Sequence, residues 1–440
     1  MPGVIALTLL IPLFAYPDAV DHPAAQRGGL DAAETAIAAR VDQGTRSSVD
    51  LLERLVNINS GTMNFEGVRA VGAVLRAELD ALGFSTEWID GTPFKRAGHL
   101  VAHRRRPGAR VLLIGHLDTV FEPSSPFQKF ERIDERYARG PAIIDMKGGL
   151  VVMVKALEAL KAEGALDALN LSIVLTGDEE LPGEPLAAAR AALLAAATGA
   201  EIAIGFEDGP GDPRTAVIAR RGTSSWRLDV TGKAAHSSQI FRRDLGAGAI
   251  FEAARILDTF RERLAGEPHL TFNPGVILGG TSIDFDAEAA RGSAAGKENV
   301  IAERATAAGD LRTLSVEQLR SVRERMQTIV ASSLPHTRAT IAFDDGYPPL
   351  SPTDGNRRLL ALYDQASRDV GAGPVGPVDP DRAGAADVSF VAGQVAMILD
   401  GVGLMGRDDH TVRETADLAT IPSQTKRAAI LLYRLGKAVR

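Results

Sequence analysis

Residues 111–120 read VLLIGHLDTV. The apolar run predicts a buried strand, and it leads straight into His116, Leu117 and Asp118. An imidazole and a carboxylate two residues apart therefore arrive where a strand ends, which is where open α/β sheets hold their chemistry. A metal-binding histidine usually has its second ring nitrogen fixed by a carboxylate or carbonyl, and Asp118 is spaced to do this. A His followed two residues later by Asp is also a common coincidence, so the rest of the chain has to decide.

Working outward, the same arrangement recurs. Residues 169–176 form a second apolar strand that ends in Gly177-Asp178-Glu179-Glu180, and residues 201–206 a third that ends in Glu207-Asp208. Asp145-Met146-Lys147-Gly148-Gly149 opens a helix running to about Glu163, and a strand at 395–399 is followed by His410. Helical spacing covers 30–56, 68–82, 356–370 and 422–439, an Ala-rich helix spans 186–196, and strands are expected at 84–89 and 99–103. Such alternation predicts an α/β fold, a mostly parallel sheet sandwiched by helices. One edge of that sheet would carry all the acidic and imidazole groups.

The texture changes near Arg221-Gly222. Strands at 225–231, 276–280, 299–312 and 338–343 alternate with helices at 246–264 and 316–331, and 232–238 is a loop. The order strand-helix-strand-strand-helix-strand is that of a ferredoxin-like α+β unit. The expected division is a leader and linker at 1–29, a main domain at 30–222 and 346–440, and an inserted domain at 223–345.

Two domains also suit a length of 440 residues. The balance of 49 basic and 56 acidic residues, with no long run of either sign, argues against nucleic acid as a partner. Cysteine is absent, so thiol chemistry and disulfides are excluded, and any metal must be held by Asp, Glu or one of eight His. Residues 4–15, VIALTLLIPLFA, match a signal-peptide core and are too short to span a bilayer. With Ala19 as a cleavage position they suggest a periplasmic or secreted protein. The first residues lack Lys and Arg, however, and a mis-set start or a buried first helix in a cytoplasmic protein is the alternative. No other segment reads as a membrane span.

The candidate ligands are then His116, Asp145, Glu180, Glu207 and His410, with Glu179 beside Glu180. Two imidazoles and three carboxylates suffice for two zinc-class ions if one carboxylate bridges them. Of two adjacent glutamates, one can ligate while the other stays free to move a proton. Each residue has an ordinary alternative: a solvated acidic turn at 178–180, a dipole-favoured Asp145 at a helix start, a surface Glu207 and an exposed His410. Five such residues converging on sheet ends are harder to dismiss.

His116-Leu117-Asp118, the run Gly140-Pro141-Ala142-Ile143-Ile144-Asp145-Met146-Lys147-Gly148-Gly149, and Asp178-Glu179-Glu180 resemble the signature blocks of a di-zinc metallopeptidase family. That family contains glutamate carboxypeptidase (carboxypeptidase G), acetylornithine deacetylase and succinyl-diaminopimelate desuccinylase, and the resemblance, to the glutamate carboxypeptidase branch above all, runs from about Leu51 to the C-terminus. It implies that His116, Asp145 and Glu207 bind one Zn2+, that Asp145 (bridging), Glu180 and His410 bind a second, that Asp118 orients His116, and that Glu179 is the general base. Co2+ or Mn2+ would also suit the donor set.

The resemblance further implies a homodimer formed through the inserted domain as a lid. The loop Gly232-Lys233-Ala234-Ala235-His236-Ser237-Ser238 would send His236 to the partner's active site to stabilise an oxyanion. Asn299 and Arg312 would contact substrate, as would the small-residue loop Gly384-Ala385-Ala386-Asp387. Read alone, His236 is an exposed loop residue, Asn299 a turn residue and Arg312 a surface charge.

The implied substrate is a small peptide or N-acyl amino acid cleaved to release a C-terminal amino acid. An aminoacylase or deacetylase, or a catalytically silent binding protein on the same fold, are the alternatives. Two departures stand out. Ala142 occupies a position where glycine is common, which asks only that the backbone there avoid positive φ. Gly346-Tyr347-Pro348-Pro349 lies where glutamate carboxypeptidase carries an arginine suited to a carboxylate, which leaves Arg312 or Lys297 for that task and removes the ground for a strict glutamate preference.

Overall fold

The computed structural model describes residues 29–287 and 289–437, so the 4–15 stretch and Ala19 lie outside the described residues. The main domain begins with helices α1 (Ala32–Gln43), α2 (Thr45–Val56) and α3 (Phe65–Ala81). Strands β1 (Ser85–Asp90), β2 (Gly98–Arg104) and β3 (Arg110–His116) follow, then α4 (Lys147–Ala162), β4 (Asn170–Thr176), α5 (Leu186–Ala189), α6 (Ala191–Ala197) and β5 (Ile202–Gly205).

The inserted domain holds β6 (Gly222–Thr231), α7 (Ala249–Leu264), β7 (Thr271–Gly280), β8 (Ser282–Asp286), β9 (Arg291–Ala295), β10 (Arg304–Thr313), α8 (Val316–Ala331) and β11 (Arg338–Asp345). The chain then returns through α9 (Asp354–Asp369), β12 (Met397–Leu399) and α10 (Ile421–Lys437). No helix among the described residues is long and apolar enough to cross a membrane.

The main sheet has the order β1-β2-β4-β3-β5-β12. Strand β3 pairs in parallel with β4 and β5, and β5 with β12, while β2 runs against both its neighbours. Residue alternation along β3 shows why its apolar run is unbroken. Val111 and Leu113 enter a core shared with α4 and α10, whereas Leu112 and Ile114 enter a second core with Leu193 and Ala196 of α6. Both faces are covered, as a parallel sheet requires.

The parallel strands all end on one side, where His116, Asp178 and Glu207 follow β3, β4 and β5. The start of α4 is drawn to the same place. A Cβ on Gly149 would lie 1.8 Å from the Phe206 carbonyl oxygen, so only glycine permits that approach.

In the inserted domain the strand order β7-β10-β6-β11, antiparallel throughout, gives the ferredoxin-like sheet, covered by α7 and α8. The hairpin β8-β9 is an addition to the expected unit: β8 (SIDFD) alternates polar and apolar residues, but its partner β9 (RGSAA) is exposed throughout and carries no such pattern. β10 begins at Arg304, five residues later than the expected strand start at Asn299.

The Ala-rich helix also differs from expectation. It breaks at Arg190, whose backbone (φ −98°, ψ 1°) leaves the helix and whose guanidinium turns into the protein. Because β6 and β11 are neighbours, the chain enters and leaves the lid side by side. There Thr223 N–H donates to the Tyr347 carbonyl (2.8 Å), and Gly346 N–H donates to that of Thr223 (3.2 Å).

Candidate active site

His116, at the end of β3, is 1% exposed. Its Nδ1 lies 3.3 Å from Asp118 Oδ1, and its Nε2 faces Asp145 Oδ1 (3.0 Å) and Glu207 Oε1 (3.4 Å). Asp118 is itself held. Its Oδ1 accepts from Glu179 N–H (3.0 Å), and its Oδ2 from the Thr62 hydroxyl (2.7 Å) and Glu180 N–H (3.1 Å). One carboxylate thus fixes both the histidine and the peptide carrying the two glutamates.

Asp145 offers its other oxygen, Oδ2, to His410 Nε2 (2.9 Å), which also lies 3.2 Å from Glu180 Oε2. Two half-sites result, one of His116 and Glu207 and one of His410 and Glu180, joined by the two oxygens of a single aspartate. Asp409 also lies within reach of Asp145 and His410. The side chain of Glu179 makes no hydrogen bond or ion pair with a described residue.

The loop that carries Asp145 is shaped by Glu414, a residue that no sequence motif singles out. Its carboxylate accepts from the backbone N–H groups of Ala142 (3.0 Å), Ile144 (2.9 Å) and Asp145 (3.2 Å). To present its N–H, Ala142 adopts φ +59°. The expectation that this backbone avoids positive φ is therefore corrected: alanine here takes a left-handed conformation that costs an L-residue about 1–2 kcal/mol.

The electrostatics follow from packing opposite charges in a largely buried cluster. Burial alone would lower the His116 pKa, but Glu207, Asp118 and Asp145 outweigh it and hold the imidazole well above its usual range. Hydrogen bonds to Asp145 and Glu180 push His410 up to about 11. Burial, with the charge of Asp145, pushes Glu180 up to about 7. Burial also drives Glu207 up to about 7 and takes Glu179 well above the carboxylate range, although His116 opposes both.

Behind Glu179 lies a buried network built on Arg190. Its Nη1 donates to Asp178 Oδ1 (2.8 Å), its Nε pairs with Asp387 Oδ1 (2.9 Å), and its Nη2 donates to the Tyr347 hydroxyl (2.9 Å). The Thr176 hydroxyl donates to the other oxygen of Asp387, Oδ2, at 2.5 Å. Replacing Arg190 by methionine is expected to lower stability by about 3–5 kcal/mol, because two buried carboxylates lose their counter-charge. Urea unfolding that registered less than about 1 kcal/mol would contradict the pairing.

A cavity of about 210 Å3 opens over the half-sites, bordered by Asp145, Glu179, Glu180, Glu207 and His410 and, opposite, by Arg382 and Gly384. Gly384 therefore sits beside the cleft. His236, Asn299 and Arg312 do not border it. His236 and Asn299 are exposed and meet through Ser237 N–H to the Asn299 carbonyl (2.9 Å), while Arg312 pairs with Asp310 at 3.1 Å. Lys297 is exposed on the same lid loop.

Sequence reasoning missed Arg190, Arg220, Arg382 and Glu414. Arg190 carried a signal, since a lone arginine inside LAAARAALLAAA has little water to face. Arg220, locked to Asp400 at 2.8 Å, and Glu414 carried none.

Residues 112–434 match Peptidase family M20/M25/M40. Carboxypeptidase G2 of Pseudomonas sp. (strain RS-16) is 27% identical over 403 residues, covering 88% of this chain and 89% of that protein. Succinyl-diaminopimelate desuccinylase of Gluconacetobacter diazotrophicus is 26% identical over 376 residues, 83% of this chain and 91% of the other. Among solved structures, aminopeptidase PepT from Bacillus cereus superposes with a TM-score of 0.70 at 18% identity, covering 89% of this chain and 98% of its own. The Bacillus subtilis YXEP protein, described as a dinuclear metal binding peptidase, does so with 0.61 at 15% identity, covering 90% and 100%. With the signature residues gathered in one cleft and the family match running from β3 through the lid to α10, well over half of the chain, the chain belongs to peptidase family M20/M25/M40 and is a hydrolase of the metallopeptidase class.

Proposed function

We propose that the protein is a two-zinc amidohydrolase that releases a C-terminal amino acid from a small peptide or N-acyl amino acid. The observation that carries this reading is Asp145, whose two oxygens each face a different imidazole, each imidazole having its own further carboxylate. The donor set fits such a metal pair: nitrogen and oxygen ligands only, with Glu180 Oε1 buried and without a hydrogen-bond partner among the described residues. His116, Asp145 and Glu207 would hold one ion, and Asp145, Glu180 and His410 the other. The pair supplies Lewis acidity to the scissile carbonyl and acidifies the attacking water.

The chain's own groups do the rest. Asp118 fixes the tautomer and tilt of His116. Glu179 takes a proton from the attacking water at its carboxylate and passes it to the nitrogen of the leaving amine. Its burial suits that exchange, since a raised pKa brings the acid and base forms closer in energy.

Carboxylate recognition we assign to Arg382, an exposed cleft residue whose guanidinium makes no ion pair with a described residue. Arg220, also in the cleft, is already committed to Asp400 and to the Gly384 carbonyl. Arg382→Ala is expected to raise KM about 10–100-fold with kcat little changed, as the loss of one charge-assisted bond implies. An unchanged KM would return the task to Arg312 or Lys297.

The lid reading extends to assembly: His236 would serve the cleft of the partner subunit, with Asn299 and Arg312 beside the substrate. Two observations support this, the exposure of His236 away from its own cleft and the exposed apolar side chains Phe241, Ile250, Phe251 and Ile277 on the same domain. A fully active monomer in light scattering would remove it. Export through residues 1–29 is likewise a proposal, and N-terminal sequencing of protein purified from its host decides it.

The deciding experiment is hydrolysis of N-benzoylglycyl dipeptides, N-acetyl amino acids and N-succinyl amino acids, before and after chelation and zinc restoration. Metal-dependent release from the dipeptides supports the carboxypeptidase reading. Turnover confined to the acetyl or succinyl substrates moves the assignment to a deacylase, the second reading that the desuccinylase relative favours. Two bound metals with no turnover on any member would favour the silent binding protein.

A further inference from the structure

We propose that Tyr347, at the root of the lid, is a positioning residue for Glu179; the inference rests on the reading of Glu179 as general base. The Glu179 side chain has no hydrogen-bond or ion-pair partner among the described residues, so its placement must come from its backbone. That backbone is pinned from two sides. Its N–H donates to Asp118 Oδ1 at 3.0 Å, and its carbonyl accepts from the Tyr347 hydroxyl at 2.7 Å.

The hydroxyl has one workable orientation. Arg190 Nη2 donates to it at 2.9 Å, and a guanidinium can only donate, so the phenol oxygen accepts there and its hydrogen goes to Glu179. Arg190 cannot drift, being held by Asp178 and Asp387. The Tyr347 ring packs on Phe390 with centroids 4.9 Å apart, and the Tyr347 backbone is tied to Thr223 where the lid begins. A single side chain thus links the junction of the lid, the buried charge network and the peptide of the base.

A purely structural Tyr347 would affect melting and leave saturated turnover alone, and this difference makes the inference testable. Tyr347→Phe keeps the ring and removes only the hydroxyl. With the N-benzoylglycyl dipeptide that turns over fastest, kcat is expected to fall about tenfold, with KM within about twofold and metal content unchanged. In a Glu179→Asp background, where the carboxylate is already withdrawn by one methylene, the same change is expected to add less than about twofold, because coupled residues do not act additively.

An unchanged kcat for Tyr347→Phe, or a full tenfold further loss in the Glu179→Asp background, overturns the inference. Glu179→Gln separates the two levels. If that variant is inactive while Tyr347→Phe is normal, only the positioning role falls. If it turns over normally, the general base and its positioning residue fall together.

Discussion

Replacing Glu179 by alanine is expected to lower kcat by about 100- to 10,000-fold while both metal sites stay filled. The two halves of that expectation have separate physical causes. Glu179 contacts neither imidazole and is not needed to complete either half-site, so its removal takes no donor from the cluster. Without it, the neighbouring ligand carboxylates cannot take over. Glu180 is engaged with His410 and Glu207 with His116. Measuring kcat alongside metal content by plasma mass spectrometry tests both halves in one preparation. Turnover near that of the parent protein would end the assignment, and a loss of metal would recast Glu179 as a ligand.

Asp145→Ala is expected to do the opposite, emptying the site before it affects the base. Asp145 is shared by both half-sites, and its removal leaves His116 with Glu207 and His410 with Glu180, two donors apiece. Changes to mere supporting groups already cost 10–100-fold in metal affinity, so losing a shared ligand should weaken it by at least about 100-fold. Turnover should fall by about a thousandfold or more even at saturating zinc. Competition with a chromogenic chelator measures the affinity, and added zinc that restored parental activity would show that Asp145 is not the bridge. The Asp145→Ala protein should still fold, because Glu414 holds the loop through backbone N–H groups rather than through the Asp145 side chain.

How much of this was legible beforehand depends on the kind of residue. His116, Asp178 and Glu207 each follow an apolar run of strand length, and the alternation of strands with helices told where such runs end. The acidic and imidazole groups that the cleft gathers are legible for the same reason, and the inserted domain follows from a change in periodicity near Arg221. What stayed hidden were charges whose partners are remote in sequence. Glu414 lies more than 260 residues from the backbone it organises, and Arg220 lies 180 from Asp400. No periodicity marks such pairs, since they exist only once the sheet is assembled. Ala142 was misjudged because glycine's absence suggested an ordinary backbone, whereas three hydrogen bonds to Glu414 compensate the left-handed turn. Arg312 and Lys297, the cations expected to meet a carboxylate, lie in the inserted domain and do not border this cleft, whereas Arg382 of the main domain does.

The side-by-side entry and exit of the lid bears on how the chain comes to be folded. Residues 222–345 close a sheet and core of their own from contiguous sequence, while the main domain is split around them. The last strand of its main sheet, β12, and the helix α10 that covers one face of that sheet are synthesised after the lid. During translation the lid can therefore finish while the earlier half of the main domain still exposes the apolar surface that α10 will cover. The nascent protein passes through a stage with one complete domain and one open one, and at that stage chaperone capture or premature termination would act on the catalytic half alone.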